Sequence, residues 1–303
     1  MAPDVIGSAT QALINTLKPS EILLLENLRF HRAEEHPDED PDFAKKLASF
    51  GDFYVNDAFG TAHRKHSSTY TLPKLFPNKA AAGLLLEKEI HYLSNILDNP
   101  KRPFYAIIGG AKISSKLGVL KSLLKKADRL IIGGGMAYTF LKAKGVPIGK
   151  SICEPDLIPV AQEILESKTP IDLPTDIVAA QTCSEDAPHQ VVTEIPDNLE
   201  GVDIGPKTIQ YYTTLIGQAQ TILWNGPVGV FELKPFATGT NALAAAIAHS
   251  SAISIVGGGD SIAALKESGF ADQISHLSTG GGATLEYIEY GTLPAIEALS
   301  NKT

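Results

Sequence analysis

Four times along this chain an apolar run ends in consecutive glycines and passes directly into a helical pattern. The four are AIIGGAK at 106–112, LIIGGGM at 130–136, ISIVGGGD at 253–260 and LSTGGGA at 277–283. A strand feeding a helix in this way needs a crossover before the next strand, so the joined strands run parallel. The rest of the chain keeps the same alternation. It predicts strands over 21–26, 52–56, 104–108, 129–132, 176–179, 221–224 and 252–256, with a short one near 276–278. Helical spacing falls near 42–50, 86–97, 115–125, 136–144, 156–167, 207–219, 239–249, 261–267 and 283–289. The pattern predicts an α/β fold, and the continuous apolar strands predict sheets covered by helices on both faces.

Pro73, Pro77 and Asn78 punctuate the chain before a charged amphipathic helix over 80–97, and Asn99, Pro100 and Pro103 follow it. Two lobes joined by a long helix are expected, the first over 1–79 and the second from 98. The first is thin for an α/β layer, because small domains bury little of their surface. An incomplete first lobe is therefore expected.

Charge narrows the function. A net charge of −8 opposes nucleic-acid binding, which needs a basic face. An anionic ligand would have to be gripped by local Arg, Lys and backbone N–H groups. No apolar run approaches the ~20 residues that span a bilayer, and the opening Met-Ala-Pro-Asp-Val-Ile-Gly does not read as a signal peptide. Cys153 and Cys183 form neither a zinc nor a disulfide pattern and are expected to be buried. A reducing cytoplasm is the expected location.

Free N–H groups at a helix start attract phosphate. Four such turns along the carboxyl edge of one parallel sheet predict a phosphate-rich ligand. The G-x-x-x-x-G-K-[ST] loop is absent, and the first turn lacks G-x-G-x-x-G, so the layout must differ from both. Lys112 and Lys116, four apart, are expected on one face of a helix start, in reach of adjacent phosphates. Asp260 follows three glycines, and both a Mg²⁺ ligand and an N-cap suit it.

Taken in order, LLLENLRFHRAEE (23–35), YVNDAFGTAHRKHSS (54–68), AIIGGAKISSK (106–116), IIGGGMAYTFLK (131–142), ILWNGPVGVFE (222–232), IVGGGDSIAAL (255–265) and STGGGATLEY (278–287) resemble phosphoglycerate kinase. The resemblance implies two Rossmann-like lobes with parallel sheets, the N-terminal one incomplete. The first would hold the phosphoglycerate and the second, over 98–285, the nucleotide, with hinge closure joining them. A final segment, 286–303, would return toward the first lobe. It also implies phosphoryl transfer between 1,3-bisphosphoglycerate and MgADP, giving 3-phosphoglycerate and MgATP in glycolysis, by a family that is typically monomeric.

By the same resemblance, Lys112 would stabilise the phosphoryl group in flight and Lys116 would bind nucleotide phosphates. Gly258, Gly259, Asp260 and Ser261 would hold phosphates, Asp260 carrying Mg²⁺, with Asn225 near the β-phosphate. Gly201, Val202 and Glu232 would line the adenosine site, and Gly110, Gly133, Gly134 and Pro227 would complete the nucleotide set. Gly281 and Gly282 would offer a helix N-terminus to the transferring phosphate. Arg29 and Arg64, with His63 beside them, would grip the phosphoglycerate. The residue types suit the reaction, since phosphoryl transfer needs alignment and charge neutralisation and arginine binds such anions bidentately.

His31, His63 and His66 are expected to pack or be solvated, and Arg32 to pair with Glu34 or Glu35. Trp224 is expected in the core and 34–42 as a solvated acidic loop. Tyr287 and Tyr290 are expected to pack the C-terminal segment. The family's opening Asp-Phe-Asn strand, its transfer arginine and its His-Leu-Gly-Arg-Pro segment are not found in these residues. A shortened chain that binds nucleotide but turns over poorly is the expectation, with a non-catalytic nucleotide-binding or interaction module as the alternative.

Overall fold

The computed structural model describes residues 1–300. Its contacts divide into two units, Met1–Ile90 with the segment from Thr292 onward, and His91–Gly291. In the first, β1 (Tyr54–Asn56) and β2 (Ala80–Ala82) pair in parallel, Tyr54 opposite Ala80. A small core of Val5, Ala33, Phe43 and Leu47 forms around the helix Pro41–Ala48. Asp40 starts that helix by accepting a bond from the Asp42 amide, with Pro41 in the first turn. Helix Pro294–Leu299 joins this unit through a bond from the Ala295 amide to the Ala62 carbonyl.

Two expectations fail here. Residues 21–26 form no strand: Ile22 is 94% and Leu24 66% exposed, and the run is held by a bond from the Ala2 amide to the Leu24 carbonyl and by Leu25 packed on the small core. An apolar run becomes a strand when a neighbour offers a ladder, and among the described residues none does so. Residues 80–82, read as the start of the long helix, belong to β2. The helix begins at Leu84, where Asp57 Oδ1 accepts from the Leu85 and Leu86 amides, and runs to Asp98.

The second unit contains β3 (Phe104–Ile108), β4 (Arg129–Ile132), β5 (Ile171–Asp172), β6 (Ile177–Ala180), β7 (His189–Val192), β8 (Glu200–Ile204), β9 (Thr221–Asn225), β10 (Ile253–Gly257) and β11 (His276–Leu277). Six form one parallel sheet in the order β11-β10-β9-β3-β4-β5. Every residue of β3 and β9 is buried, as a sheet covered on both faces requires. Ile107, Ile131, Trp224, Tyr212, Leu243 and Val256 share one core. The fold is α/β, as the alternation predicts.

The 176–179 run, expected within a parallel sheet, instead forms β6, the centre of an antiparallel sheet ordered β7-β6-β8. Its partners carry weak sequence signals. β7 begins with the exposed polar pair His189 and Gln190, and β8 contains Gly201.

Candidate active site

The sheet order reverses between β3 and β9: β4 and β5 extend one side, β10 and β11 the other. At such a reversal the loops beyond the strand ends part and leave a crevice. The strand ends are registered there, Ile108 opposite Asn225, and Asn225 in turn opposite Gly257. All four glycine turns leave this one edge, joined by a fifth, Asn225-Gly226-Pro227.

Lys116 lies at the reversal. Its Nζ donates to the Gly109 carbonyl at 2.7 Å, the Asn225 carbonyl at 3.1 Å and Asn225 Oδ1 at 2.6 Å. Burial lowers its pKa to about 8, opposed by the charge of Asp260. The expected shared helix face for the two lysines is not formed. Lys112 sits exposed in the loop before the 3₁₀ turn Ser114–Lys116, while Lys116 folds inward against carbonyls. Gly226 (φ +94°) makes this possible, since a Cβ there would stand 2.5 Å from Lys116 Nζ.

The turns are stitched to one another. Asn225 Nδ2 donates to the Gly257 carbonyl at 2.8 Å, and the Gly226 amide to Ser261 Oγ at 2.6 Å. The Gly110 amide reaches the Pro227 carbonyl and the Gly134 amide the Val228 carbonyl, both at 3.0 Å. Gly133 packs against Val228. The edge is therefore held before any ligand arrives.

Beside it opens a cavity of about 320 Å³. Of the expected nucleotide residues, Gly110, Gly134, Gly201, Val202, Pro227, Glu232 and Asp260 line it. Asn225, Ser261, Lys116 and Gly133 stand behind as supports, and Gly258 and Gly259 open the helix Gly259–Ser268. Gly258 occupies the N-cap position and Asp260 makes no cap bond, so the capping alternative for Asp260 is overturned. Gly281 and Gly282 start the helix Gly282–Tyr290 beyond β11, outside the cavity lining.

Tyr138, Ile152, Cys183, Glu200, Val228 and Val230 also line the cavity and were not read from the sequence as site residues. The 222–232 motif could have yielded the last two. The 131–142 motif likewise contains Tyr138, whereas Ile152, Cys183 and Glu200 come from separate segments with no local pattern. Cys183 is exposed on this wall, against the expectation of burial, and Cys153 is half-buried. Burial and then the nearby Glu200 and Glu232 raise the Cys183 pKa.

Among the described residues no cluster of three His, Cys, Asp or Glu side chains could enclose a metal. The exposed carboxylate of Asp260, at the helix start on the cavity, fits Mg²⁺, which takes one or two protein carboxylates and completes its shell from phosphates and water.

In the first unit, Arg29, Arg64 and His63 surround His66. Burial first, then Arg29, Arg64 and His63, lower the His66 pKa, against a rise from Glu35. Arg29 Nε also lies 3.6 Å from Glu35. Glu34, expected in a solvated run, is buried. It accepts from Ser68 Oγ at 2.6 Å and the Ser68 amide at 3.0 Å, pinning the π-turn Ser67–Thr71 that follows Arg64. Arg32 pairs with Glu39 at 2.7 Å, not with Glu34 or Glu35, because Glu34 is turned inward. His31 packs on Phe43 and contacts Asp4, Trp224 is fully buried, and Tyr287 is buried while Tyr290 is exposed. No helix among the described residues is long and apolar enough to cross a membrane.

Known proteins place this geometry. The family model described as phosphoglycerate kinase matches residues 1–290. The phosphoglycerate kinase of Chlamydia felis is 51% identical, the match covering 99% of this chain and 77% of that one. That of Chlamydia muridarum is 50% identical over the same shares. Among solved structures, phosphoglycerate kinase from Coxiella burnetii superposes with a TM-score of 0.88 at 44% identity, covering 94% of this chain and 74% of that one. The enzyme from Pyrococcus horikoshii gives 0.84 at 33% identity, covering 98% and 76%. Five turns converging on a strand-order reversal, and likeness of this extent in sequence and fold, lead to one assignment: the chain belongs to the phosphoglycerate kinase family, and so to the phosphotransferases of glycolysis.

Proposed function

We propose that the chain transfers a phosphoryl group reversibly between 1,3-bisphosphoglycerate and MgADP, yielding 3-phosphoglycerate and MgATP, in the cytoplasm. The observation that carries the reading is the largely buried Lys116 ammonium at the strand reversal, beside a cavity bordered by Asp260 and glycine turns. Adenosine would rest on Gly201, Val202 and the apolar wall, with Glu232 toward the ribose. Its phosphates would run past Gly110, Gly134 and Pro227 toward Lys116. Gly258 and Gly259 at the helix start would face the phosphates, with Ser261 supporting the Gly226 turn behind them, and Asp260 would hold Mg²⁺, which supplies neutralisation of phosphate charge.

Lys112, exposed before the 3₁₀ turn Ser114–Lys116, would act as a point charge on the transferring group. Gly281 and Gly282 present helix N–H groups to the same oxygens. Arg29 and Arg64, with His63, bind the phosphoglycerate anion through the first unit. The roles divide along the chain: phosphoglycerate on residues 1–79, nucleotide on the residues that follow the helix Leu84–Asp98 up to 285, and 286–303 as the returning segment.

Titration calorimetry of the 303-residue chain with MgADP tests the nucleotide half, and absence of heat from folded protein overturns it. Turnover in a coupled assay is expected to be low, because, of the first unit's arginines, Arg29 already lies near Glu35 and Arg32 is paired with Glu39. Rapid turnover would contradict that expectation.

A further inference from the structure

The second unit buries a carboxylate that the transfer chemistry does not use. Asp203, in β8, is 1% exposed and lies next to Val202 of the cavity wall. One of its oxygens, Oδ2, accepts from the Gly239 amide at 2.7 Å; the other, Oδ1, accepts from the Ile204 amide at 2.8 Å. Gly239 is the second residue of helix Thr238–His249, so Asp203 supplies from outside the acceptor that this helix start lacks in its own sequence. The same carboxylate lies against Gly229, where a Cβ would collide with Oδ1.

Gly229 belongs to the cavity-lining run 227–232, and that run is pinned from the same quarter. Thr240, one residue beyond Gly239 and fully buried, accepts from the Val228 amide at 3.2 Å through Oγ1. The Val202 carbonyl accepts from the Val230 amide at 2.8 Å. Asp203 thus contacts, directly or through one neighbour, the supports of Val228, Gly229 and Val230, three successive wall residues.

We propose that Asp203 is a positioning residue of the nucleotide site, holding the 228–232 wall in its binding shape through Gly229 and the Gly239–Thr240 helix start. The proposal rests on the nucleotide reading of the cavity. Burial without a cationic partner pushes the Asp203 carboxyl up to about 7. A buried carboxylate retained without an ion pair depends on its backbone donors, so its place is set by the elements it joins.

Asp203→Asn keeps the size and removes one acceptor. Its amide NH₂ must then face a backbone N–H. The comparison is Asp176→Asn in the same unit. Asp176 is also buried and accepts from the Lys207 and Thr208 amides at the start of helix Pro206–Ile216, away from the cavity lining. Both variants are expected to lower the melting temperature. Only Asp203→Asn is expected to weaken MgADP binding, by about tenfold, the size of one lost hydrogen bond. Hydrogen exchange in the absence of nucleotide should quicken at 228–232 in Asp203→Asn and stay unchanged there in Asp176→Asn.

Equal weakening of binding in both variants overturns the proposal, because the effect is then general loosening. Unchanged exchange at 228–232 in Asp203→Asn overturns it as well. If the unsubstituted chain gives no MgADP heat, the nucleotide reading fails. In that event the exchange comparison still decides whether Asp203 holds the wall.

Discussion

The two units bury charge in different ways. In the second, a six-stranded sheet brings five turns to one edge, and Lys116 is held there by three acceptors from two strand ends. In the first, the paired sheet has two strands, and Arg29 and Arg64 stand exposed around a buried His66. Ile22, Leu24, Phe53, Val55 and Leu84 are exposed in that same unit. A site can be pre-organised to the extent that the sheet beneath it is wide enough to bury its supports. The difference teaches that the glycine-turn edge is built by backbone, whereas the arginine cluster depends on side chains held at the surface.

The sharpest way to break this comparison is one methyl group in each unit. Gly226→Ala places a Cβ against Gly109 and Lys116 at positive φ, and is expected to abolish MgADP binding and destabilise by about 3 kcal/mol or more in urea unfolding. Gly7, at φ +113°, has nothing within 4 Å of the same atom. Gly7→Ala should cost about 1–3 kcal/mol of backbone strain and leave nucleotide binding intact.

Removing the buried ammonium comes next. Lys116→Met should weaken MgADP binding by roughly 30- to 160-fold, as expected for a lost charge-assisted contact of about 2–3 kcal/mol. In the unsubstituted chain the ammonium loses its proton as pH rises through about 8, so affinity should decline above that pH. Calorimetry from pH 7 toward 9 should show the decline in the parent and a flat profile in the variant.

Asp203 offers a subtler contrast in stability. Its carboxyl titrates near 7 in the folded chain against an ordinary 3.8, so the folded form holds a proton that the unfolded form releases. The corresponding stability is present at the acid end and is lost as pH rises through about 7. Melting temperature followed across that window should fall more in the parent than in Asp203→Asn. Equal slopes would remove this group as the cause.

The smallest effect belongs to the exposed run of the first unit. Ile22→Ser with Leu24→Ser should change stability by less than about 0.5 kcal/mol. It should leave MgADP affinity unchanged and reduce self-association in light scattering. A large loss of stability would show that these side chains pack in solution.

Much of this was legible in the sequence, unevenly. The strand–glycine–helix turns announce the parallel sheet, because apolar continuity and glycine placement act within a few residues. Trp224 was legible as core for the same reason. The 21–26 run was not, since EILLLE states a preference for extension and a ladder needs a neighbour. Nor was the direction of Lys116: spacing suggested a shared face with Lys112, while its strongest acceptor, Asn225, lies 109 residues away.

By itself, then, the sequence determined the α/β alternation, the glycine turns and the identity of the residues at them, because local backbone preference and burial pattern are short-range. The tertiary structure alone decided which turns meet, which way Lys116 points, and that Tyr138, Ile152, Cys183 and Glu200 share one wall. It also decided that Asp203 lies beneath that wall. Strand order sets those neighbours, and strand order follows from how the whole sheet buries its two faces.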